Sequence, residues 1–306
     1  MMKPTRFLDR MGSGGRLLAK WAISFAAMVI ASVKASEGGH PLEVAVPPAP
    51  PGASIPSEGL RLSWTNNLLT VSSPNLPGKT MDIWYLEAFC KKGSTRQDWG
   101  KTTIPHKTTL LEADADGRLL KFRTTIGPGV EMLHTLRATA DEIDIAYELS
   151  NRGSEPAPIE WFQPACIRVE RFTGCQQSNY TAKSFIFTEH GLTTLDQTRR
   201  TEEAVYRGGQ VYVPKGINLE DVNPRPLCKD APTNGLIGCF SQDNKWILAT
   251  AFDQTHELFE GVYVCLHSDP HVGGLGVNEA KKIHGKIYFV RNEPAALLAR
   301  YKKDFP

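Results

Sequence analysis

The sequence predicts an all-β protein, built as one large antiparallel β-sandwich with a short C-terminal helix. Alternation of apolar and polar residues with period two recurs along most of residues 60–306. Clusters of Gly, Pro, Asn and Asp separate the alternating runs, as expected where strands meet turns. No segment repeats at a fixed period, which favours a sandwich over a propeller or a β-helix.

The predicted strands are rich in β-branched and aromatic residues. In chain order they are LRLSW, LLTVSS, MDIWYLEAFC, RLLKFRTTI, EMLHTLRATA, EIDIAYELSN, IEWFQPACIRV, SFIFTE, QVYVP, KWILATAF, GVYVCLH and KIHGKIYFV. DADG (114–117) and SQDNK (241–245) have the composition of tight turns. The terminal helix is predicted with Asn292 as its N-cap and Pro294 in its first turn. Its apolar face consists of Leu297, Leu298, Tyr301 and Phe305.

Residues 1–35 have the features of a signal peptide. Basic residues precede an apolar run from Trp21 to Ala31, which is too short to span a bilayer. Val33-Lys34-Ala35 then places small residues at the positions that a signal peptidase recognises. We therefore expect cleavage near Ala35 and an exported protein, periplasmic or secreted, with no membrane span in its mature form.

The remaining chain divides into a spacer and a domain. Residues 36–59 contain six prolines and few residues able to pack, which predicts a semi-extended spacer. Residues 60–306 contain no low-complexity linker, so we expect one β-sandwich domain. The first 35 residues carry a net charge of +5 and the whole chain +2, which leaves the mature chain near −3. Without a basic footprint, the sequence argues against nucleic acid as a partner.

Six cysteines form an even set in a chain predicted to be exported, so disulfides are one interpretation. Cys166–Cys175 and Cys228–Cys239 would be the local pairs. Cys90 and Cys265 lie in or at the end of apolar strand-like runs, where a free cysteine behaves as a small hydrophobic residue. Bridged and free thiols both remain open.

Several long strings resemble a group of exported bacterial proteins to which no activity is assigned. They are MDIWYLEAFC, IPHKT, QPACIRVERFTG, DVNPRPL, NGLIGCFSQDNKWILATAF and HSDPHVGGL, with the closing HGKIYFV…ALLARYKKDFP. The resemblance covers roughly residues 60–306 and implies little about function.

A second resemblance concerns the C-terminal part of the domain. Its strand, histidine loop, LGVNEAKK turn and IHGKIYFV strand are similar to the end of aldose-epimerase (galactose mutarotase-like) supersandwiches. That family usually has Leu-x-Pro-Gly-Glu at the turn, whereas this chain has Val277-Asn278 before Glu279. The resemblance implies a β-supersandwich that handles sugars on one face. It leaves the activity open, because related folds serve as lyases, hydrolase modules and binding domains.

CLHSDPHVGGLG (265–276) is the stretch most suggestive of chemistry. Strand alternation places Tyr263, Cys265 and His267 on one face, with His267 as the last strand residue before a long connection. An acid or a sugar-hydroxyl ligand is one interpretation, since histidine titrates near neutrality. A metal held by His267, Asp269 and His271 is another, although Pro270 argues against one helix presenting both histidines. A turn in which Asp269 bonds its own backbone is the third.

A carboxylate interrupts the apolar strand MDIWYLEAFC. Alternation places Tyr85 and Glu87 on one face and Trp84 on the other. Glu87 must then be paired, exposed at a groove or shifted in pKa, and Arg168 or Arg171 could pair with it. Trp84 or Tyr85 could stack on a sugar ring or belong to the core. Arg168 could clamp a carboxylate or sulfate through its planar guanidinium, or pair with a neighbouring acid.

Two further segments contain candidate ligands. THELFEG (255–261) lacks the second histidine of a zinc-protease helix, and we expect a solvated connection in which Glu260 could accept from sugar hydroxyls. His106 follows Pro105 in a polar stretch, where we expect a loop residue that could line a groove.

The sequence therefore predicts an exported carbohydrate-active or carbohydrate-binding protein with its site in a concave sheet groove. If it is an enzyme, we expect epimerase- or lyase-like acid–base chemistry without cofactor or metal. His267 would be the acid, Glu87 or Glu260 the base, and Arg168 an anion clamp. Further substrate contacts would come from Trp84, Tyr85, His106, Asp269 and His271.

The alternative is a non-catalytic binding module of the cell envelope. No nucleophile elbow, P-loop or dinucleotide fingerprint supports a different chemistry.

Overall fold

The structure is a computed structural model that describes residues 59–93, 99–200 and 209–306. The predicted signal peptide and almost all of the predicted spacer lie outside these residues. The described residues form two large antiparallel sheets that enclose a common hydrophobic core. The predicted all-β sandwich is therefore confirmed. No helix in the described ranges is both long and apolar enough to cross a membrane.

Seventeen strands and three α-helices are present in the described residues. The strands are β1 (Arg61–Thr65), β2 (Leu68–Ser72), β3 (Thr80–Cys90), β4 (Thr103–Ile104), β5 (His106–Ala113), β6 (Leu119–Ile126), β7 (Val130–Ala138), β8 (Glu142–Asn151), β9 (Trp161–Arg168), β10 (Ser184–Thr188), β11 (Gly191–Thr194), β12 (Gln210–Tyr212), β13 (Ile237–Phe240), β14 (Trp246–Phe252), β15 (Thr255–Gly261), β16 (Cys265–Pro270) and β17 (Ala280–Arg291). The helices are α1 (Trp99–Thr102), α2 (Glu170–Thr173) and α3 (Pro294–Asp304), and single 3-10 turns occur at Tyr180–Ala182 and Leu195–Gln197.

The first sheet has the order β1-β2-β3-β9-β16-β15-β12, with β4 paired to β3. The second has the order β11-β10-β13-β14-β17-β8-β7-β6-β5. In the first sheet, β3, β9 and β16 are direct neighbours although they are far apart in the chain. This pairing brings side chains from three distant segments onto one face.

Alternation of burial along the strands explains the core between the sheets. Ile83, Ile167 and Leu266 occupy paired positions on β3, β9 and β16, and all three are fully buried. From the second sheet, residues such as Ile145 and Ile287 contribute to the same cluster. Residues at the alternate positions of the first sheet consequently point away from the core.

The C-terminal helix α3 packs on the second sheet through the predicted face. Leu297 is buried, and Leu298, Tyr301 and Phe305 pack against the same cluster. Pro294 occupies the first turn, as expected, but the N-cap residue is Glu293 without a side-chain cap. Asn292 instead donates from its amide to a backbone carbonyl at the 241–245 turn.

Three segments differ from the predicted pattern. THELFEG is not a solvated connection but the buried strand β15. GVYVCLH begins with a hairpin turn, so that β16 starts at Cys265 and continues past His267 to Pro270. His106 is the first residue of β5 rather than a loop residue. In each case strand pairing decides the conformation, and the side-chain pattern is only a partial guide to it.

All six cysteines are free. Neither local pair, Cys166–Cys175 or Cys228–Cys239, is bridged, so the disulfide interpretation is wrong for this structure. Cys166 and Cys265 instead lie on the adjacent strands β9 and β16, with their sulfur atoms within 4.8 Å.

Candidate functional site

A cleft of about 460 Å³ opens on the outer face of the first sheet. Side chains from β3, β9, β15 and β16 line it, together with residues 223–225. A larger cavity of about 660 Å³ lies beside α3, near Tyr301, but none of the site residues predicted from the sequence lines it. The cleft on the first sheet is therefore the candidate site.

A β-bulge in β3 turns Glu87 into this cleft. Pairing with β9 shifts register between Tyr85 and Ala88, and Leu86 adopts a left-handed backbone with φ of 56°. The extra residue reverses the alternation, so Glu87 shares the outer face with Trp84 while Tyr85 stays in the core. The prediction that Tyr85 and Glu87 share a face is therefore wrong.

The floor of the cleft brings together two thiols and an imidazole. Cys166, Cys265 and His267 are almost completely buried. The two Sγ atoms and a ring nitrogen of His267 lie within 4.8 Å of one another. The Cys265 Sγ is 3.7 Å from the His267 Nε2. The Glu87 Oε2 is 3.9 Å from the same nitrogen, and its side chain is 36% exposed. The Glu87 carboxyl group, the two thiols and the His267 imidazole therefore lie close together at the floor of the cleft.

Two buried carboxylates lie behind this floor. Asp269 Oδ1 is 3.7 Å from the His267 Nδ1, and Asp269 Oδ2 accepts a hydrogen bond of 3.2 Å from Gln163. Glu257 accepts from the backbone N–H of Asn223 at 2.8 Å. Neither Asp269 Oδ1 nor His267 Nδ1 has a hydrogen-bond partner within the described structure. Asp269 therefore lies beside His267 within β16, and it is not the residue of a self-bonded turn.

Burial and mutual contact shift the protonation of this group. Burial alone would lower the pKa of His267, but Asp269 and Cys265 outweigh it and raise that pKa well above its usual value. The neighbouring Cys166 thiol and the contact with His267 lower the pKa of Cys265 despite its burial. Burial raises the pKa of Glu87, and His267 offsets part of that rise.

The mouth of the cleft carries two exposed aromatic rings and two arginines. Trp84 is 52% exposed and Tyr263 is 63% exposed. The Arg168 guanidinium lies over the Tyr263 ring, 5.8 Å from its centre. Arg225 lines the same cleft from the neighbouring loop. Arg168 makes no ion pair with Glu87 or any other acid of the described chain, and its Nε has no hydrogen-bond partner there.

Two residues predicted to contact substrate lie in the core or beneath the sheet. The Tyr85 hydroxyl is buried and bonds His134 Nδ1 at 2.8 Å. His106 donates through Nε2 to the Leu86 carbonyl at 2.9 Å. It therefore contacts the bulge residue next to Glu87 and does not line the cleft.

Two more predicted residues also lie outside the cleft. Glu260 is fully buried on the opposite face of β15, where it accepts a 2.5 Å hydrogen bond from Ser184. His271 donates to Glu160 at 2.9 Å and does not line the cleft. Of the predicted catalytic residues, the structure thus brings together His267 and Glu87 but not Glu260.

Several residues of the cleft are not predicted by the sequence pattern, among them Cys166, Gln163 and Arg225. Strand alternation does predict that Cys265 and His267 share one strand face. The position of Cys166 opposite them depends on the pairing of β9 with β16, for which the sequence contains no local signal.

No protein-family model matches the chain, and no curated protein matches it. Similar solved structures include the Slr1438 protein of Synechocystis sp. PCC 6803, with 8% identity, a TM-score of 0.44 and coverage of 79% of this chain and 99% of that one. A proposed aldose 1-epimerase of Escherichia coli K12 has 11% identity, a TM-score of 0.42 and coverage of 76% and 99%. A galactose mutarotase-like protein of Lactobacillus casei ATCC 334 has 11% identity, a TM-score of 0.40 and coverage of 76% and 100%. Similarity at this level carries no information on activity.

Proposed function

We propose that the protein is an exported carbohydrate-recognition protein whose cleft binds an acidic sugar. The observation that carries this proposal is the mouth of the cleft, where two exposed aromatic rings accompany Arg168, which makes no ion pair among the described residues. A sugar ring presents apolar C–H faces that pack on aromatic side chains such as Trp84 and Tyr263. A uronate carboxylate or a sulfate in the cleft would pair with the charged guanidinium of Arg168, which lines it.

Charge in the cleft favours an anionic over a neutral glycan. Arg168 and Arg225 contribute two positive charges, whereas Glu87 is the one exposed carboxylate among the residues that line the cleft. Hydrogen bonds to charged groups contribute about 1.5–3 kcal/mol, so an arginine contact alone would distinguish acidic from neutral sugars by roughly tenfold or more.

The test is binding of the purified protein to neutral, uronic and sulfated glycans. We expect selective binding of acidic glycans, weakened on the order of tenfold by Trp84→Ala and by Arg168→Gln. Arg168→Gln should also remove the preference for acidic over neutral sugars. Leu133→Ala and Arg137→Gln, exposed on β7 of the other sheet, are the matched controls. Equal binding by all four variants, or no glycan binding at all, would contradict the proposal.

A catalytic form of this function is favoured by one observation, the Glu87 carboxylate that the bulge turns into the cleft. Epimerase- and lyase-like reactions need a base that removes a proton beside a carbonyl or carboxylate. Glu87→Gln should then abolish turnover of a bound uronate-containing glycan while its affinity changes little. Turnover is followed by reducing ends, by the absorbance of an unsaturated product, or by epimer analysis. Unchanged turnover in Glu87→Gln would exclude Glu87 as the base.

Export is supported by the composition of residues 1–35. Expression in a bacterial host should yield a mature protein that begins at Ser36, as measured by intact mass. A protein retained in the cytoplasm with residues 1–35 attached would contradict this part of the proposal.

A further inference from the structure

The two thiols on the floor of the cleft need an explanation that carbohydrate binding does not supply. Cys166 is contributed by β9, and Cys265 and His267 by β16, and all three are almost fully buried. Buried free cysteines usually pack as small hydrophobic residues among apolar neighbours. Here the two sulfur atoms and an imidazole nitrogen converge on one point within 4.8 Å of each other.

These distances suit a tetrahedral metal ion. With metal–sulfur bonds near 2.3 Å and metal–nitrogen bonds near 2.0 Å, neighbouring ligand atoms are about 3.5–3.8 Å apart. The Cys265 Sγ and the His267 Nε2 are already 3.7 Å apart. Shifts of about 1 Å or less would bring all three ligand atoms to bonding distance of a common centre.

The surroundings of His267 resemble the support that metal-bound histidines require. The ring presents Nε2 to Cys265, while Nδ1 faces Asp269 at 3.7 Å. Gln163 in turn holds the other oxygen of Asp269. A carboxylate behind the second ring nitrogen orients a metal-bound imidazole and raises its basicity. The unpartnered, fully buried Asp269 Oδ1 and His267 Nδ1 point to this arrangement independently of the thiols.

We propose that Cys166, Cys265 and His267 bind a zinc-class divalent ion at the floor of the cleft. Two thiolates and an imidazole select zinc and related borderline or soft metals over calcium and magnesium. The fourth position faces the cleft beside Glu87, whose carboxylate lies 3.9 Å from His267. His267 is then a ligand in place of the predicted acid, and the Glu87 carboxylate lies beside the site.

The experiment is metal binding by the full chain, stripped with a chelator and kept reduced. Zn²⁺ affinity is measured by competition with a chromophoric chelator, and Co²⁺ is used as a spectroscopic probe. We expect one equivalent of either metal, with the visible bands of tetrahedral Co²⁺ and thiolate-to-cobalt charge transfer. Cys166→Ala and Cys265→Ala should weaken Zn²⁺ binding by on the order of 100-fold or more. Asp269→Asn should weaken it by about 10–100-fold.

Cys228→Ala is the matched control, because Cys228 is a half-buried free cysteine outside the cleft and should leave metal binding unchanged. Near-ultraviolet circular dichroism checks that each variant is folded. If a cysteine variant unfolds, His267→Gln replaces it, and its Co²⁺ bands should shift or disappear. The proposal is overturned if the reduced protein takes up no stoichiometric metal or if the cysteine variants bind as well as wild type. It is also overturned if a Cys166–Cys265 disulfide forms and reduction restores no metal binding.

The inference does not rest on carbohydrate recognition, so the two proposals can fail separately. Glycan binding is measured on the same samples before and after chelation. Selective glycan binding without metal uptake would overturn the metal site and leave the carbohydrate proposal standing. Metal uptake without glycan binding would overturn the carbohydrate proposal and leave the metal site standing.

Discussion

His106 is expected to stabilise the site although it does not contact the cleft. Its Nε2–H donates to the carbonyl of Leu86, the bulge residue, and its ring packs edge-on against Phe89 at 5.0 Å. A hydrogen bond contributes about 1 kcal/mol net, and an aromatic pair adds about 0.5–1.5 kcal/mol. His106→Ala should therefore lower the free energy of unfolding by about 1.5–2.5 kcal/mol, and it should loosen the bulge that orients Glu87.

The assay is urea unfolding followed by tryptophan fluorescence, with the slope of the transition checked for constancy. Lys107→Ala changes the adjacent, exposed residue of β5 and should shift the free energy of unfolding by less than about 0.5 kcal/mol. His106→Gln retains an amide donor and should lie between wild type and His106→Ala. The reasoning is refuted if His106→Ala is no less stable than Lys107→Ala.

Three other predictions concern the second sheet and the core. Gly285→Ala should cost about 1–3 kcal/mol in unfolding free energy, because a Cβ there would lie 2.0 Å from the Phe252 ring; equal stability in urea would contradict this. The hydrogen bond to Asp144 raises the pKa of His284, so its contribution is complete below about pH 6.5 and is lost as the pH rises through the higher folded pKa. His284→Gln should accordingly flatten the decline in stability above pH 6.5. Parallel curves of unfolding free energy against pH for the variant and wild type would contradict this. Burial raises the pKa of Glu260 well above its usual value, so the folded protein retains that proton while the unfolded chain loses it above about pH 4.3. The free energy of unfolding of Glu260→Gln should fall less than that of wild type between pH 5 and pH 8. An equal or larger fall in the variant would contradict this.

Much of the fold could be predicted because burial on one face of a strand leaves a local trace. The alternation in β7, β8 and β17 predicts those strands directly, since each exposes one side and buries the other. The C-terminal helix was predicted for the same reason, from the periodic face that includes Leu297 and Tyr301. These signals survive in the sequence because each depends only on residues a few positions apart.

β15 shows where such reasoning fails. THELFEG contains one histidine and two glutamates in seven residues, a composition typical of exposed segments, yet the strand is buried. The partners that allow this burial lie far away in the chain: the backbone of Asn223 binds Glu257, and the hydroxyl of Ser184 binds Glu260. A buried polar group is acceptable when it is hydrogen-bonded, and its partner cannot be read from neighbouring residues.

The sequence by itself determined the class of the fold, most of the strands, the terminal helix, and the presence of Cys265 and His267 on one strand face. The tertiary structure decided which of the predicted site residues meet. It brought Glu87 into the cleft through a bulge, and it moved Glu260 and Tyr85 into the interior. It also placed Cys166 opposite His267. The reason is physical: alternation and turn composition are local properties, whereas strand order and register follow from the packing of the whole sandwich.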